Sequence, residues 1–409
     1  MPTNLDIQLE ASGSASVIVI LKDSKAATIS GLKRYFRHAE TSQQTALLES
    51  LSVHTGGGGR RRRPTAPPAM RVYPALGLAF GTVDRKGLAA LRKEKKHISG
   101  IHSAPVFSLI HPVRSAAVAT PTQKVTWGIN ALDIPKLWAK GFTGKGILVG
   151  HLDTGADGKH PALKGAIKLF AEFDDLGAPV NPVPAAHDTG EHGTHTAGTI
   201  AGRSVAGKAI GVAPGADLAC AIVIEGGNVV ARVLGGMNWA VEQKVRILSM
   251  SLGLRGFDPA WEPLTAVLRQ KGILPVFAVG NEGPGTSRSP GNYDDVLSVG
   301  AIDKNLLVAD FSSSQKFTRP KNPLVPQLVA PGVGVISAKP GGGYQEMDGT
   351  SMATPHIAGL AALLMSAKPT KTADEVEKAI YASCQMQPGM LQSRANRGVP
   401  NAIRALDLL

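Results

Sequence analysis

Three short stretches carry residue types suited to nucleophilic acyl transfer. The first is Asp153-Thr154-Gly155, which follows the apolar run 147–152. A run of that kind reads as a buried parallel strand, so the carboxylate is expected at the strand's C-terminal edge, where open α/β sheets place their sites. The second, 188–198, is glycine-rich and puts His192 at the start of a helix. The third, 349–355, leads through Ser351 into an apolar helical run, 356–364. A helix N-terminus carries unpaired N–H groups and partial positive charge, so a serine there lies beside a natural site for developing negative charge. Serine is a weak nucleophile unless an imidazole takes its proton, and the imidazole needs a carboxylate to fix its tautomer. Asp153, His192 and Ser351 supply these three groups. A lone serine at such a position is otherwise a helix cap.

Other chemistries fit less well. The serine motif has Ala353 where a G-x-S-x-G elbow requires glycine, with Pro355 expected in the first helical turn. His192 and His195 lack the H-E-x-x-H spacing and further ligands of a zinc site. His195 is expected to be a core residue, and His151 to face the opposite side of its strand from Asp153 in a structural role. The two cysteines, Cys220 and Cys384, exclude a disulfide framework, and neither adjoins a histidine.

In order and in kind, these stretches resemble those of the subtilisin-like serine proteases (subtilases, peptidase S8 family), with a fourth motif, 279–283, between the second and third. The resemblance covers residues 122–409. It implies a serine endopeptidase in which Asp153, His192 and Ser351 form the triad and Asn281, with the Ser351 N–H, binds the oxyanion. Acid-active relatives replace the histidine by glutamate and the asparagine by aspartate, so His192 and Asn281 imply the neutral-to-alkaline branch. The resemblance also implies that Ser251, Leu252 and Gly253 form one edge for an extended substrate and 226–230 the other. Ala278, Val279 and Gly280 would line the pocket for the residue before the cut bond. These liners favour an apolar side chain there, with the short loop 284–290 reshaping the wall. No cofactor is required for the chemistry. Structural calcium is common in such enzymes, but the loop 203–208 carries Arg203, Val205 and Lys208 where hard cations require oxygens, so that site is expected to be absent. Asp157, Asp174 and Asp175 read as solvated carboxylates. The same acyl-enzyme could serve an esterase or peptide ligase, and an idle relative could serve as a binding module.

The whole chain has 409 residues, 47 of them glycine, and a net charge of +13. Residues 1–121 hold 17 Lys and Arg against 7 Asp and Glu, and the remainder 27 against 24, so the basicity is N-terminal. Its densest cluster, Arg60 to Arg63, lies in a Gly/Arg/Pro loop at 55–69 without interleaved aromatics, which reads as a disordered insertion and not as a nucleic-acid surface. No run is long enough to span a bilayer, and 1–15 shows no secretory signal, so a cytoplasmic location is expected, or secretion if an export segment was removed. The expected partners are polypeptide substrates and the chain's own N-terminal domain, with no nucleic acid, no membrane and a monomeric state.

Fold class is expected to be α/β, a mostly parallel central sheet with helices on both faces, preceded by a small α+β domain. The boundaries are a tail at 1–15, an α+β domain at 16–111, a linker at 112–122 and the main domain at 123–409. Within 16–111 the order is strand 16–22, a helix containing Leu47, Leu48 and Leu51, strand 73–83, helix 86–95 and strand 106–110. The resemblance implies that this domain is an inhibitory propeptide that lays its tail in the cleft, with self-cleavage in the linker, although Pro121 would obstruct one expected bond.

Overall fold

The computed structural model describes residues 4–23, 25–37, 69–224 and 226–409. The chain divides into two compact units, Met1–Ala104 and Pro105–Leu409.

The first unit is a four-stranded antiparallel sheet, in spatial order Met70–Tyr73, Leu78–Asp84, Ser14–Leu21 and Ile98–Ser103. Its core unites Val17, Val19 and Leu21 of the central strand with Leu32, Leu88 and Leu91 of the helices Ala26–Lys33 and Arg85–Leu91. Asp84 starts the second of these helices by accepting the Gly87 N–H at 2.6 Å. Three expectations change. The N-terminal tail is a helix, Asn4–Ser12, because Leu5 and Leu9, four apart, bury one face in this core. The stretch 73–83 is two strands, separated by a turn with Gly77 at φ +66°. The closing strand is Ile98–Ser103, not 106–110. The helix expected around Leu47 and the loop 55–69, apart from Ala69, lie outside the described residues.

In the second unit a seven-stranded parallel sheet is flanked by helices. Its spatial order is Leu328–Pro331, Leu297–Ile302, Leu274–Ala278, Ile247–Met250, Leu148–Asp153, Asp217–Ile222 and Ile167–Glu172. Ile167–Glu172 and then Asp217–Ile222 lie to one side of Leu148–Asp153, the second inserted between the other two, and the later strands lie to the other side, so the C-terminal end of Leu148–Asp153 is the sheet's switch point. Register places Leu152 opposite Met250, and Met250 opposite Phe277, so Asp153, Ser251 and Ala278 follow side by side on one edge. Two buried helices pack together at that edge, His192–Ala201 and Thr350–Ala367. Each is rich in alanine and glycine, which allows close approach: Gly359 of the longer helix faces Val212 and the Ile200 carbonyl.

The boundary expected at 111/112 falls instead at 104/105, and the expected linker is ordered. Ser108–Leu109 pairs antiparallel with Leu252–Gly253, and Arg114–Val118 pairs antiparallel with Tyr344–Asp348. Each short strand gains its hydrogen bonds from an edge that the rest of this unit already presents.

Candidate active site

Asp153 ends its strand almost fully buried, and Oδ1 accepts the Thr154 N–H at 2.8 Å and His192 Nδ1 at 2.7 Å. Burial pushes the carboxyl upward. The charge and hydrogen bond of His192, with His151 and the Thr154 N–H, outweigh that effect and hold it below its ordinary value. His192 opens its helix, and with Nδ1–H given to the carboxylate its Nε2 carries the lone pair. That nitrogen is buried and has no hydrogen-bond partner.

The helix start is fixed by Asp188, whose Oδ2 accepts the Thr194 N–H at 2.6 Å and the Thr194 hydroxyl at 2.5 Å. Its Oδ1 accepts the Gly190 N–H at 2.9 Å and the Thr154 hydroxyl at 2.7 Å. The Thr154 oxygen in turn accepts the Gly193 N–H at 2.9 Å. This bridge from strand end to helix start holds the carboxylate and imidazole in register. It also explains Gly193, because a Cβ there would lie 2.0 Å from the Gly155 carbonyl oxygen. Asp188 stood in the sequence motif, but its span to Thr154 depends on a fold that no local pattern reveals.

Ser351 is the second residue of the helix Thr350–Ala367 and is fully buried. The helix begins five residues before Pro355, so the proline lies in its second turn and not its first. Proline has no N–H to bond the carbonyl four residues back, which is that of Ser351. The Ser251 hydroxyl points to that carbonyl instead, at 3.4 Å. Asn281 is oriented by the same helix: its Oδ1 accepts the Thr350 N–H at 2.9 Å and the Thr350 hydroxyl at 2.8 Å. Nδ2 is thereby left to point outward as a donor.

Both outward donors meet the chain's own backbone. The Ser351 hydroxyl donates to the Ile110 carbonyl at 2.7 Å, and Asn281 Nδ2 to the next carbonyl, His111, at 2.9 Å. The Ile110 N–H donates to the Ser251 carbonyl at 3.0 Å. Ile110 is 1% exposed and Phe107, three residues back, is 4% exposed with its ring centroid 4.3 Å from that of Trp261. Farther along, Arg114 pairs with Asp348 at 2.9 Å and with Glu346.

Of the expected substrate edges, Leu252 and Gly253 are paired by Ser108–Leu109, and Ser251 accepts from Ile110. The segment 226–230 is not a strand: Asn228 caps the helix Val229–Glu242 through the Ala231 N–H, and its first two residues are Val229 and Val230. The Val279 carbonyl accepts the Arg288 N–H at 2.9 Å, so the loop 284–290 does reach the wall formed by Ala278, Val279 and Gly280. Arg288 is a residue that the sequence reading missed. His195 bonds the Val335 carbonyl at 2.9 Å, and burial lowers it to about 3. His151 does not face away from Asp153: residues two apart on a strand share a face, and its Nε2 lies 3.8 Å from the carboxylate and 2.8 Å from the Thr196 hydroxyl. Cys220 is buried in its strand. Among the described residues no helix is long and apolar enough to cross a membrane.

Residues 144–402 match the subtilase family, Peptidase_S8. The chain is 40% identical over 248 residues to the Major intracellular serine protease of Bacillus subtilis (strain 168), covering 58% of this chain and 74% of that protein. It is 32% identical over 312 residues to Subtilisin E of the same organism, covering 74% of each. Likeness to the M-protease of Shouchella clausii (strain KSM-K16) is 35% over 275 residues, 67% of each. With a parallel sheet of the expected kind and a match over more than half its length, the chain belongs to the subtilase family and is a serine-type endopeptidase acting on polypeptides.

Proposed function

We propose that this endopeptidase works through Asp153, His192 and Ser351 and is made as a zymogen whose cleft is filled by its own residues 107–118. In the working enzyme His192 Nε2 takes the Ser351 proton as the hydroxyl oxygen attacks a peptide carbonyl carbon. The tetrahedral oxyanion is held by Asn281 Nδ2 and the Ser351 N–H. His192 then returns the proton to the leaving amine, and water repeats the sequence on the acyl-enzyme. Asp153 stabilises the imidazolium without itself taking a proton.

The observation that carries the inhibited state is the division of the two donors. Productive attack needs the serine oxygen on one carbonyl carbon and the asparagine amide on that same group's oxygen. Here the hydroxyl is bonded to the Ile110 oxygen and the amide to that of His111, so neither peptide bond is poised for cleavage. Pro112, which follows His111, has no N–H and restricts the residue before it to extended conformations. The unit Met1–Ala104 leads directly into this segment and reads as a propeptide domain. An intramolecular cut would require this segment to shift first, and would then fall near Ile110 and His111. A cut within 112–123 would need a second enzyme molecule, because Arg114–Val118 is held on the far side by Tyr344–Asp348.

The filled cleft also suggests a substrate pattern, with an aliphatic residue before the cut and an aromatic residue three places earlier. No calcium is proposed at the loop 203–208, where the Arg203 guanidinium donates to the carbonyls of Ala201, Pro214 and Ala216. The reading is of a monomer. The likeness to intracellular serine proteases supports a cytoplasmic location. Labelling with a fluorophosphonate tests the nucleophile: one site labelled, and that label absent in Ser351→Ala, supports the reading. Unchanged labelling of the variant would refute it.

A further inference from the structure

Arg288 opens the short strand Arg288–Ser289, which pairs antiparallel with Leu254–Arg255. The Arg288 side chain is 8% exposed, and Nε donates to Glu282 Oε1 at 2.8 Å, with Nη2 on the same oxygen. The remaining terminal nitrogen, Nη1, is turned toward the cleft. It lies 2.9 Å from the Ser108 hydroxyl and 3.4 Å from the Gly253 carbonyl. The Ser108 hydroxyl is also 3.5 Å from that Gly253 carbonyl. A hydroxyl at this place therefore has a donor and an acceptor facing it together: it can accept from the guanidinium while turning its hydrogen to the backbone oxygen.

Other side chains fit less well. Alanine leaves Nη1 with only the longer contact to Gly253. A carboxylate accepts from Nη1 but meets the Gly253 carbonyl with like charge, and would also face the charge of Glu282, which Arg288 shares with Arg255 at 3.6 Å. A lysine brings a second cation. Glu282 is itself braced, since its Oε2 accepts the Asn281 N–H at 3.0 Å, so the fork does not swing freely.

The geometry points to Arg288 as a specificity-determining residue that selects serine or threonine two positions before the residue seated as Ile110 is. This inference rests on the protease reading above, in which residues 107–110 lie as the acyl side of a substrate does. Phe107 and Ile110 then mark apolar sites, and the hydroxyl is read between them.

The test uses the purified full chain and four fluorogenic peptides of sequence Phe-Xaa-Leu-Ile before the reporter, with Xaa as Ser, Asp, Ala or Lys. Rates are referred to the amount of Ser351 labelled by fluorophosphonate. The expected order in kcat/KM is Ser, Asp, Ala, Lys, with Ser about fivefold above Ala, as one hydrogen bond weakened by the exposure of this position would give. That ratio falls to about one in Arg288→Met. In Arg288→Lys, which keeps the charge and loses the fork, it also falls, while Asp stays above Ala. A Ser to Ala ratio near one in the unaltered chain, or the same ratio in Arg288→Met, overturns the inference. A second measurement needs no change at Arg288: Ser108→Ala loosens the chain's own segment, and labelling of intact chain quickens about fivefold. An unchanged labelling rate counts against the contact. Cleavage of none of the peptides together with no labelling of Ser351, both persisting after the full chain has shortened, removes instead the protease reading, and this inference with it.

Discussion

The two halves of the active site differ in what completes them. Asp153 and His192 are closed upon the scaffold: Thr154, Asp188 and Thr194 lock the strand end to the helix start, and both side chains are buried. Ser351 and Asn281 are held by the scaffold on one side only, and their outward donors are taken up by Ile110 and His111. The proton-handling half is thus permanently assembled, and restraint is applied to the half that meets the substrate. On the proposal that the chain is a zymogen, its catalytic groups need no distortion. Removal of one short segment would then be enough.

The largest expected effect comes from breaking the closed half. His192→Ala should lower kcat about 10⁶-fold, since Ser351 loses its base, and steady-state peptide hydrolysis measures it. Asn281→Ala, in the open half, should cost about 10²- to 10³-fold in kcat with KM little changed, as expected for a donor used mainly in the transition state. Equal losses in the two variants would erase the distinction between proton handling and charge stabilisation.

The buried histidines around both halves also predict a pH dependence. His151, His195 and His356 are driven neutral by burial, His195 to about 3 and His356 to about 4. Their folded values lie below the ordinary 6.5, so between those limits the unfolded chain binds more protons than the folded one. Stability should therefore be lost as pH falls below about 6.5, by roughly 1.4 kcal/mol per pH unit for each imidazole within its window. Asp153, also depressed, adds its loss only lower, below the carboxylate's ordinary value of 3.8. Thermal melts of Ser351→Ala from pH 8 to 5 measure this, and a flat Tm would contradict the neutral buried histidines. The smallest effect belongs to the far end of the segment. The Arg114 side chain is half exposed, so Arg114→Ala should quicken labelling of the intact chain only about two- to fivefold.

Much of the site was legible because its groups stand at element ends within dense local motifs. Asp153 ends a run that is apolar but for His151, His192 sits among glycines, and Ser351 opens an apolar helix. The parallel sheet was legible for the same reason, since strands buried on both faces leave no polar alternation. What escaped notice depends on tertiary partners. Arg114–Val118 is mostly exposed and rich in serine and alanine, and nothing in it forecasts a strand until the edge of Tyr344–Asp348 is present. Arg288 lies between two serines, in the two-residue strand Arg288–Ser289, and gains a role only because Glu282 and Gly253 close around it. The helix Asn4–Ser12 was overlooked because only two leucines face its core. His151 shares a face with Asp153 because side chains alternate along a strand with a period of two.

The central claim is that residues 107–118 restrain an otherwise complete active site. The most direct test follows purified full chain over time, recording its mass and the rate at which fluorophosphonate labels Ser351. The account predicts slow labelling of intact chain and a rise in step with loss of the N-terminal residues. Intact chain that labels as fast as the shortened form would contradict it.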